Sequence, residues 1–277
     1  LLSFTYSKIS NKKKNLKDFD YVINTLLIPF KEKINFLRMT FGCIYLSYVK
    51  KYKLYSENKL LWINIFKKYD INHPKLYAYN NNGHIKYLEN INNFQEYVSK
   101  PIMGLLGINV RKIKGNQVKE FLEQNQNVLI QEKLSDCIQN SARFFRYVTS
   151  YKGDKIVLIE YVSEKGFIPN TSHGGHFNMC HDLNCESMSS NPKLKQKMID
   201  IMNQLVLLHK NEFPKILSIG WDLMINCENS SKDKIKVYCL EGNSPHIVWY
   251  AYPEFDDTIL KYKEIVKDFY DENIFTQ

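Results

Sequence analysis

The chain has 277 residues, enough for one large domain or two smaller ones. Its composition, 44% hydrophobic and 24% charged, is that of an ordinary globular protein, and no stretch is long and apolar enough to span a bilayer. The net charge of +9 suits an anionic ligand such as a nucleotide, a phosphorylated sugar or a polyanion, although solubility and genome composition explain it equally well. The first residue is Leu1 rather than Met, which leaves open what precedes it.

The N-terminal half is predicted to mix helices with short strands. Residues 1–55 are basic, and their apolar residues recur at three- and four-residue intervals, which predicts a helical N-terminal segment. Residues 56–58 are a good capping run for a helix over 59–69. The elements predicted next are, in chain order, a strand at 75–79, a turn at 80–83, a helix around 92–97, a strand at 97–101, a helix over 115–124 and a buried strand over 128–134.

The C-terminal half is predicted to contain two strand pairs and two helices. Residues 143–149 and 155–162 form a hairpin pattern, and 219–225 and 236–240 form another, joined by a polar loop. Helices are predicted over 192–209 and 259–269. Residues 169–190 are predicted to be a long loop, and such loops in compact domains are usually functional or disordered.

The six cysteines contain no CxxC pair, and in a chain of this length they are predicted to be reduced and buried. Cys180, His181 and Cys185, with His173 and His176 just before them, raise the possibility of zinc. Their spacing fits no standard zinc finger.

A pair of acidic residues lies on the last two predicted strands. Adjacent antiparallel strands would bring Asp222 and Glu241 side by side, with Asn243 pointing the same way as Glu241. In regular alternation Glu241 shares a face with Val237 and Cys239. Carboxylate and amide oxygens that converge in this way suit Mg²⁺. A surface hairpin with incidental acids remains an alternative, because Glu-Gly-Asn-Ser-Pro is also good turn chemistry.

Several short motifs together resemble the ATP-grasp superfamily, and most closely its sugar-transfer-associated group. The resemblance covers roughly residues 55–260 and rests on the order and spacing of these motifs: Asn58-Lys59, Ile-Asn-His-Pro-Lys at 71–75, Lys100-Pro101, Ile130-Gln131-Glu132, Arg146-Tyr147-Val148-Thr149, Gly220-Trp221-Asp222 and Glu241-Gly242-Asn243. It implies an α+β fold in which two subdomains clasp ATP. The expected ATP-grasp domain is 56–277, with a lid subdomain over about 75–134 and a metal-binding core over about 140–260.

The resemblance also implies roles for residues that would hold the nucleotide. Lys59 and Lys100 match lysines directed at its phosphates, and an ammonium on a long stem suits such a contact. Gly104 and Gly107 match the small loop over the phosphates, although Leu105-Leu106 departs from the usual glycine-rich pattern. The hinge that would read adenine through its backbone corresponds to Gln131, Glu132, Lys133 and Leu134.

Further roles follow for the reacting groups. Arg146 matches an arginine that stabilises the transferring phosphoryl group, and Asp222, Glu241 and Asn243 match the Mg²⁺ ligands. The acceptor substrate is expected beside the loop that carries Asn170, His173, Gly174 and Gly175, where His173 could accept a proton from an attacking amine. A surface loop without a functional role remains the alternative for this segment.

The function implied by the resemblance is an ATP- and Mg²⁺-dependent ligase that joins a carboxylate to an amine or another nucleophile through an acyl phosphate. The expected substrates are small or sugar-linked, in sugar or polysaccharide modification, and the expected location is cytoplasmic. Two other classes stay open. One is a catalytically weakened ATP-grasp protein that serves as a binding or assembly subunit, and the other is a basic nucleic-acid-binding protein. The second lacks a recognised nucleic-acid motif, so no nucleic-acid partner is expected.

Overall fold

The structure, a computed structural model, describes residues 58–104, 109–134, 142–163, 176–180, 183, 185–227, 234–243 and 256–273. The helical segment predicted for residues 1–55 lies outside them. Two antiparallel five-stranded sheets and the helices packed on them make up the described fold, which is α+β as expected. None of its helices is long and apolar enough to cross a membrane.

The first sheet has the strand order β2-β1-β5-β3-β4. Its elements are β1 (Leu76–Asn81), β2 (His84–Tyr87), β3 (Glu96–Pro101), β4 (Arg111–Lys114), a 3₁₀ turn (Gly115–Gln117), α2 (Val118–Gln124) and β5 (Val128–Glu132). Asn82 and Gly83 join β1 to β2 with φ values of 51° and 87°, as a two-residue hairpin turn of type I′ requires. A small core lies between α2 and one face of this sheet.

The second sheet has the order β10-β9-β6-β7-β8 and carries the larger core. Its elements, with the helices around it, are β6 (Ala142–Ser150), β7 (Lys155–Ser163), β8 (His176–Met179), α3 (Glu186–Ser189), α4 (Pro192–Glu212), β9 (Ser218–Cys227), β10 (Ile235–Asn243) and α5 (Asp256–Asn273). The apolar face of α4 includes Met198, Leu205 and Leu208, which are buried in that core because their spacing places them on one side of the helix.

Helix α1 (Lys59–Lys68) connects the two sheets. Its buried face, formed by Trp62 and Phe66, packs into the core of the second sheet. Its first turn meets the first sheet, because the backbone N–H of Lys59 donates to the carbonyl of Ile102 at 2.9 Å. The beginning of α1 therefore lies where the two sheets come together.

Three expectations about secondary structure and cysteines are wrong. No helix forms around 92–97, because the Asn92 side chain accepts the Phe94 N–H, a local bond that competes with a helix, and β3 begins at Glu96. The predicted loop 169–190 contains β8 and α3. Cys227 is disulfide-bonded, whereas Cys180, Cys185 and Cys239 are free and buried. Since disulfides are uncommon in reducing compartments, the cysteines no longer argue for a cytoplasmic location, which stays a prediction.

Candidate functional site

A row of three polar side chains crosses the second sheet. Arg146 on β6 pairs directly with Asp222 on β9, and Asp222 pairs directly with Glu241 on β10. Residues that face each other in an antiparallel ladder project on the same side of the sheet. The three side chains therefore share one face, opposite to the core that α4 covers.

A β-bulge sets the direction of Glu241. The register along β9 and β10 shifts between Cys239 and Glu241, so that Leu240 is the extra residue. Cys239 pairs with Leu223 in the core, whereas Glu241 pairs with Asp222 on the other face. The sequence expectation that Cys239 and Glu241 share a face is therefore wrong, because a bulge inserts one residue and turns the following side chains over.

Asp222 accepts three side-chain hydrogen bonds. Arg146 donates from Nε to Oδ1 at 2.7 Å and from Nη2 to Oδ2 at 3.0 Å, a two-bond contact that fixes the planes of both groups. Asn243 donates from Nδ2 to Asp222 Oδ2 at 3.1 Å. The Arg146 guanidinium also lies 5.9 Å from the ring centroids of Phe144 and Tyr161, which hold it by cation–π attraction.

Glu241 is connected to the first sheet through Lys59. The Lys59 ammonium lies 3.3 Å from Glu241 Oε2 and donates to the carbonyl oxygen of Gly104 at 2.8 Å. Gly104 has a φ of +139°, which L side chains rarely adopt, so the residue must be glycine for the backbone to turn here. One lysine thus joins a carboxylate of the second sheet to the glycine loop that follows β3.

Lys100 projects from the first sheet toward the same acids. It shares a face of β3 with Val98, while Tyr97 and Ser99 occupy the other face, and Tyr97 packs in the small core. Burial lowers the pKa of Lys100 to about 8, and attraction to Glu241 and Asp222 opposes that shift. These electrostatic partners place Lys100 near the acid row.

The four predicted hinge residues occupy the end of β5 and the residues after it. Gln131 shares a face with Lys100, and its buried amide donates to the carbonyl of Pro74 at 3.3 Å. Glu132 accepts the backbone N–H of Lys75 at 2.9 Å, and Lys133 forms an ion pair with Glu96. Leu134 is buried. Of these four residues, only Gln131 projects its side chain from the same face of the first sheet as Lys100.

Five predicted site residues lie outside the described residues: Gly107, Asn170, His173, Gly174 and Gly175. The contacts given above bring together Lys59, Lys100, Gly104, Arg146, Asp222, Glu241 and Asn243.

Two supporting features were missed by sequence reasoning. A Cβ atom on Gly242 would lie 2.8 Å from ring atoms of both Trp62 and Trp221, so a side chain between Glu241 and Asn243 has no room.

Behind the row, Trp221 Nε1 donates to Thr149 Oγ1 at 2.8 Å, and Thr149 lies 2.7 Å from His209 Nδ1. His209 Nε2 lies 2.9 Å from the Ile216 carbonyl, which can only accept, so the proton is on Nε2 and Thr149 donates to Nδ1. A glycine inside an apolar strand was the available signal for the first feature.

The two acids of the row and the neighbouring Asn243 fit Mg²⁺. Asp222, Glu241 and Asn243 each carry a hard oxygen, which is the ligand type that Mg²⁺ prefers. The Asn243 amide presents its NH₂ to Asp222, and half a turn about its last bond would present the oxygen instead.

Comparisons with known proteins support the fold. Neither a protein-family model nor a curated protein matches the chain by sequence. The crystal structure of an L-amino acid ligase from Bacillus licheniformis is similar with a TM-score of 0.50 and 13% identity, over 76% of this chain and 48% of that one. D-cycloserine synthetase DcsG is similar with a TM-score of 0.51 and 9% identity, over 77% of this chain and 70% of that one. The fold is that of the ATP-grasp proteins. The chain spans about half the length of the first of these ligases, and identities this low show the fold alone.

Proposed function

We propose that the protein is an ATP- and Mg²⁺-dependent ligase that joins a carboxylate to an amine. The observation that carries the proposal is the row Arg146, Asp222 and Glu241, which faces Lys100 and the Gly104 loop across the two sheets. Together with Lys59, this set combines acids that can hold a cation with three basic side chains, Arg146, Lys100 and Lys59, that can hold phosphate oxygens. Such a set suits phosphoryl transfer, which depends on positioning and on charge stabilisation more than on a protein nucleophile.

Each side chain has a task in this proposal. Asp222, Glu241 and Asn243 would hold Mg²⁺, which supplies positive charge beside the phosphates of ATP. Lys100 and Lys59 would contact those phosphates as point charges. Arg146 would stabilise the phosphoryl group during its transfer to the substrate carboxylate, and the amine would then displace phosphate from the resulting acyl phosphate.

Ion pairs hold these groups in place. Arg146 and Lys59 are ion-paired with Asp222 and Glu241, so the four charges balance and both acids keep fixed positions. When a cation approaches the acids, the two basic side chains become available for the phosphates that arrive with it. The same contacts would therefore order the site before binding and redistribute on binding.

The proposal also covers the class of substrate. The two solved structures compared above bear the names of an L-amino acid ligase and a D-cycloserine synthetase, and we extend from them only the reaction class. The resemblance of the motifs to sugar-transfer-associated proteins adds a sugar-linked carboxylate or amine as the substrate to test first. His173, Asn170, Gly174 and Gly175 remain the residues proposed for the acceptor side.

The variant Glu241→Gln tests the proposal, with Glu212→Gln as its matched control. Both glutamates pair with a lysine of α1, Glu241 with Lys59 at 3.3 Å and Glu212 with Lys68 at 2.6 Å, but only Glu241 belongs to the row. ATP with Mg²⁺ should raise the Tm of the wild type and of Glu212→Gln, because a ligand that binds only the folded state stabilises it. Glu241→Gln should lose the part of this shift that depends on Mg²⁺.

Turnover completes the test. The wild type, supplied with ATP, Mg²⁺ and mixtures of carboxylates and amines, should release ADP and phosphate, and Glu241→Gln should not. Mg²⁺-dependent ATP binding without turnover on any acceptor would support the assembly-subunit alternative instead. A wild type whose Tm responds to oligonucleotides and not to ATP would contradict the proposal.

A further inference from the structure

We propose that Glu160, Cys180 and Cys185 form a binding site for a thiophilic divalent cation, with Zn²⁺ as its first candidate. Their ligand atoms, one carboxylate oxygen and two sulfur atoms, all lie within 4.8 Å of one another. The three residues come from β7, from the residue that follows β8 and from the residue that precedes α3. The cluster is separate from the row that carries Asp222 and Glu241.

The separation of these atoms is close to what a zinc ion needs. Zn–S bonds of ~2.3 Å at tetrahedral angles place two sulfur ligands about 3.8 Å apart. Atoms already within 4.8 Å reach that spacing by movements of about an ångström or less, which side-chain rotation supplies. Two thiolates and a carboxylate provide three protein ligands, and water can take the fourth position as in other zinc sites with three protein ligands.

Strand pairing brings the three side chains to one place. Glu160 pairs with Phe145 on β6, which is buried in the large core, so the Glu160 side chain also points to the core side of the sheet. The Cys180 N–H donates to the carbonyl of Leu158, two residues before Glu160 on the same face of β7. Cys185 begins the turn into α3, where its carbonyl accepts the Met188 N–H at 3.0 Å.

The three side chains are shielded from solvent. Glu160, Cys180 and Cys185 are 2%, 5% and 4% exposed, and Cys185 Sγ lies 3.6 Å from the hydroxyl of the buried Ser187. A divalent cation bound there would be largely screened from water, and its binding would release the two thiol protons to solvent. Soft sulfur ligands select Zn²⁺ over Mg²⁺, so the two proposed sites would not compete for the same cation.

A cation in this place would have a structural effect. It would connect β7 to the end of β8, an edge strand among the described strands of the second sheet, and to the start of α3. In the sequence, the segment with Asn170 and His173 directly precedes β8. The site would therefore fix the far end of the segment that we propose for the acceptor substrate.

The test uses the full chain, reduced and freed of metal, and titrates it with Co²⁺ and then Zn²⁺. Cobalt bound to thiolate gives charge-transfer absorption in the near ultraviolet, whereas cobalt bound to oxygen ligands such as Asp222 and Glu241 does not. We expect this absorption to saturate at one Co²⁺ per chain, to disappear when Zn²⁺ displaces Co²⁺, and to be accompanied by a higher Tm.

Four variants locate the site. Cys180→Ser and Cys185→Ser should each abolish the absorption. Glu160→Gln should weaken Co²⁺ binding by at least about 10- to 100-fold, which is the loss of metal affinity expected when a residue hydrogen-bonded to a metal ligand is changed. Cys239→Ser is the matched control, because Cys239 is also a free, buried thiol, and it should retain the absorption in full. The test does not depend on the folding of any one variant, because the wild type and Cys239→Ser are both expected to show the absorption.

Three results would overturn the proposal. The first is a wild-type chain that shows no thiolate absorption with Co²⁺ after reduction. The second is absorption that survives in Cys180→Ser and Cys185→Ser. The third is a Cys180–Cys185 disulfide found by mass spectrometry of the unreduced chain, together with no metal binding after its reduction, which would make the pair a redox couple rather than a metal site.

Discussion

The two sheets differ in the size of the core beneath them. Among the described residues, one cluster of six buried residues joins the first sheet to α2, and one of 25 joins the second sheet to α1, α3 and α4. Because hydrophobic stabilisation scales with buried apolar area, we expect the larger cluster to hold its sheet more strongly. The opposite face of that sheet carries Arg146, Asp222 and Glu241, so the groups that we propose for phosphoryl transfer lie on the more strongly held sheet.

The first sheet contributes fewer groups to the site. Lys100 projects from β3, and the carbonyl of Gly104 receives Lys59 from α1. Regions with few buried contacts open at a lower free energy than the rest of a protein. A lid that moves over a rigid base requires such a difference in local stability. The difference therefore supports the proposed division into a lid over about 75–134 and a core over about 140–260.

A matched pair of leucines tests the difference between the cores. Leu205 on α4 and Leu122 on α2 are both fully buried, in the large and the small core respectively. We expect Leu205→Ala to lower the free energy of unfolding by about 3–5 kcal/mol and Leu122→Ala by about 2–3 kcal/mol, since a small core near the edge of the fold can collapse around the cavity. Denaturant titration measures both values.

Amide hydrogen exchange sharpens that comparison. Leu122→Ala should increase exchange in β3 and β5 while β9 stays protected, because the first sheet can open alone. Leu205→Ala should increase exchange in both sheets. Equal loss of protection across both sheets in the Leu122→Ala variant would show that they unfold as one unit.

The core of the second sheet also predicts a dependence of stability on pH. Burial lowers the pKa of His209 from 6.5 to about 4. Between pH 6.5 and 4, His209 is therefore protonated in the unfolded chain but neutral in the folded chain. The contribution of His209 to the free energy of unfolding is complete above pH 6.5 and is lost as the pH falls toward 4. The loss is about 3 kcal/mol at 1.36 kcal/mol per pKa unit, and urea titrations at several pH values measure it.

His209→Gln is the control for this effect. Glutamine cannot titrate, so the variant should be less stable at pH 7 but should lose less stability than the wild type between pH 6.5 and 4. Identical pH profiles for the two proteins would mean that other groups cause the loss of stability in acid.

The parts of the fold that follow periodic patterns were predictable from the sequence. The hairpin of β6 and β7 and the helix α4 appear where alternation and helical spacing place them, since each has a continuous apolar face. The pairing of Asp222 with Glu241 also followed from two adjacent strands. These features depend on local periodicity, which a single sequence displays.

The features that the sequence did not reveal depend on contacts between distant segments. The bulge at Leu240 shifts the register by one residue, and no residue type marks it. The space that Gly242 leaves for Trp62 and Trp221 requires α1 to pack on β10. Glu160 and the two cysteines meet only because β8 pairs with β7. Each of these needs tertiary structure as its evidence.

Lys100 tests what the first sheet adds to the site. Lys100→Ala should weaken ATP binding by about 1.5–3 kcal/mol, the range for hydrogen bonds to charged groups. Its effect on folding should be small, because removal of a partly buried ammonium also removes the cost of its burial. Calorimetric titration measures the affinity, and Lys112→Ala, which changes an exposed lysine of β4, should bind ATP as the wild type does.

Wild-type ATP affinity in Lys100→Ala would remove Lys100 from the proposed site. A fall in affinity of the same size in Lys112→Ala would instead indicate a general effect of positive charge on the first sheet. The two variants together therefore separate a specific phosphate contact from the overall charge of +9.

The smallest expected change in stability concerns the start of α1, where the two sheets meet. Asn58 caps α1, since its Oδ1 accepts the N–H of Leu60 at 3.0 Å, and its backbone bridges to Met103 beside the first sheet. Asn58→Ala should lower the free energy of unfolding by about 1 kcal/mol, the usual cost of losing such a cap. It should also weaken the binding of ATP with Mg²⁺, because Lys59 follows the cap and holds both Glu241 and the Gly104 carbonyl.

Asn191→Ala provides the matched comparison for this last prediction. Asn191 caps α4 through the same kind of bond, from Leu194 N–H to its Oδ1 at 3.0 Å, but α4 lies on the core side of the second sheet. Its variant should lose a similar amount of stability and keep its affinity for ATP with Mg²⁺. If both variants lose stability and affinity equally, the start of α1 has no special role in the site. A loss of affinity confined to Asn58→Ala, restored by Asn58→Ser because serine also caps helices, would assign the coupling of the two sheets to this turn.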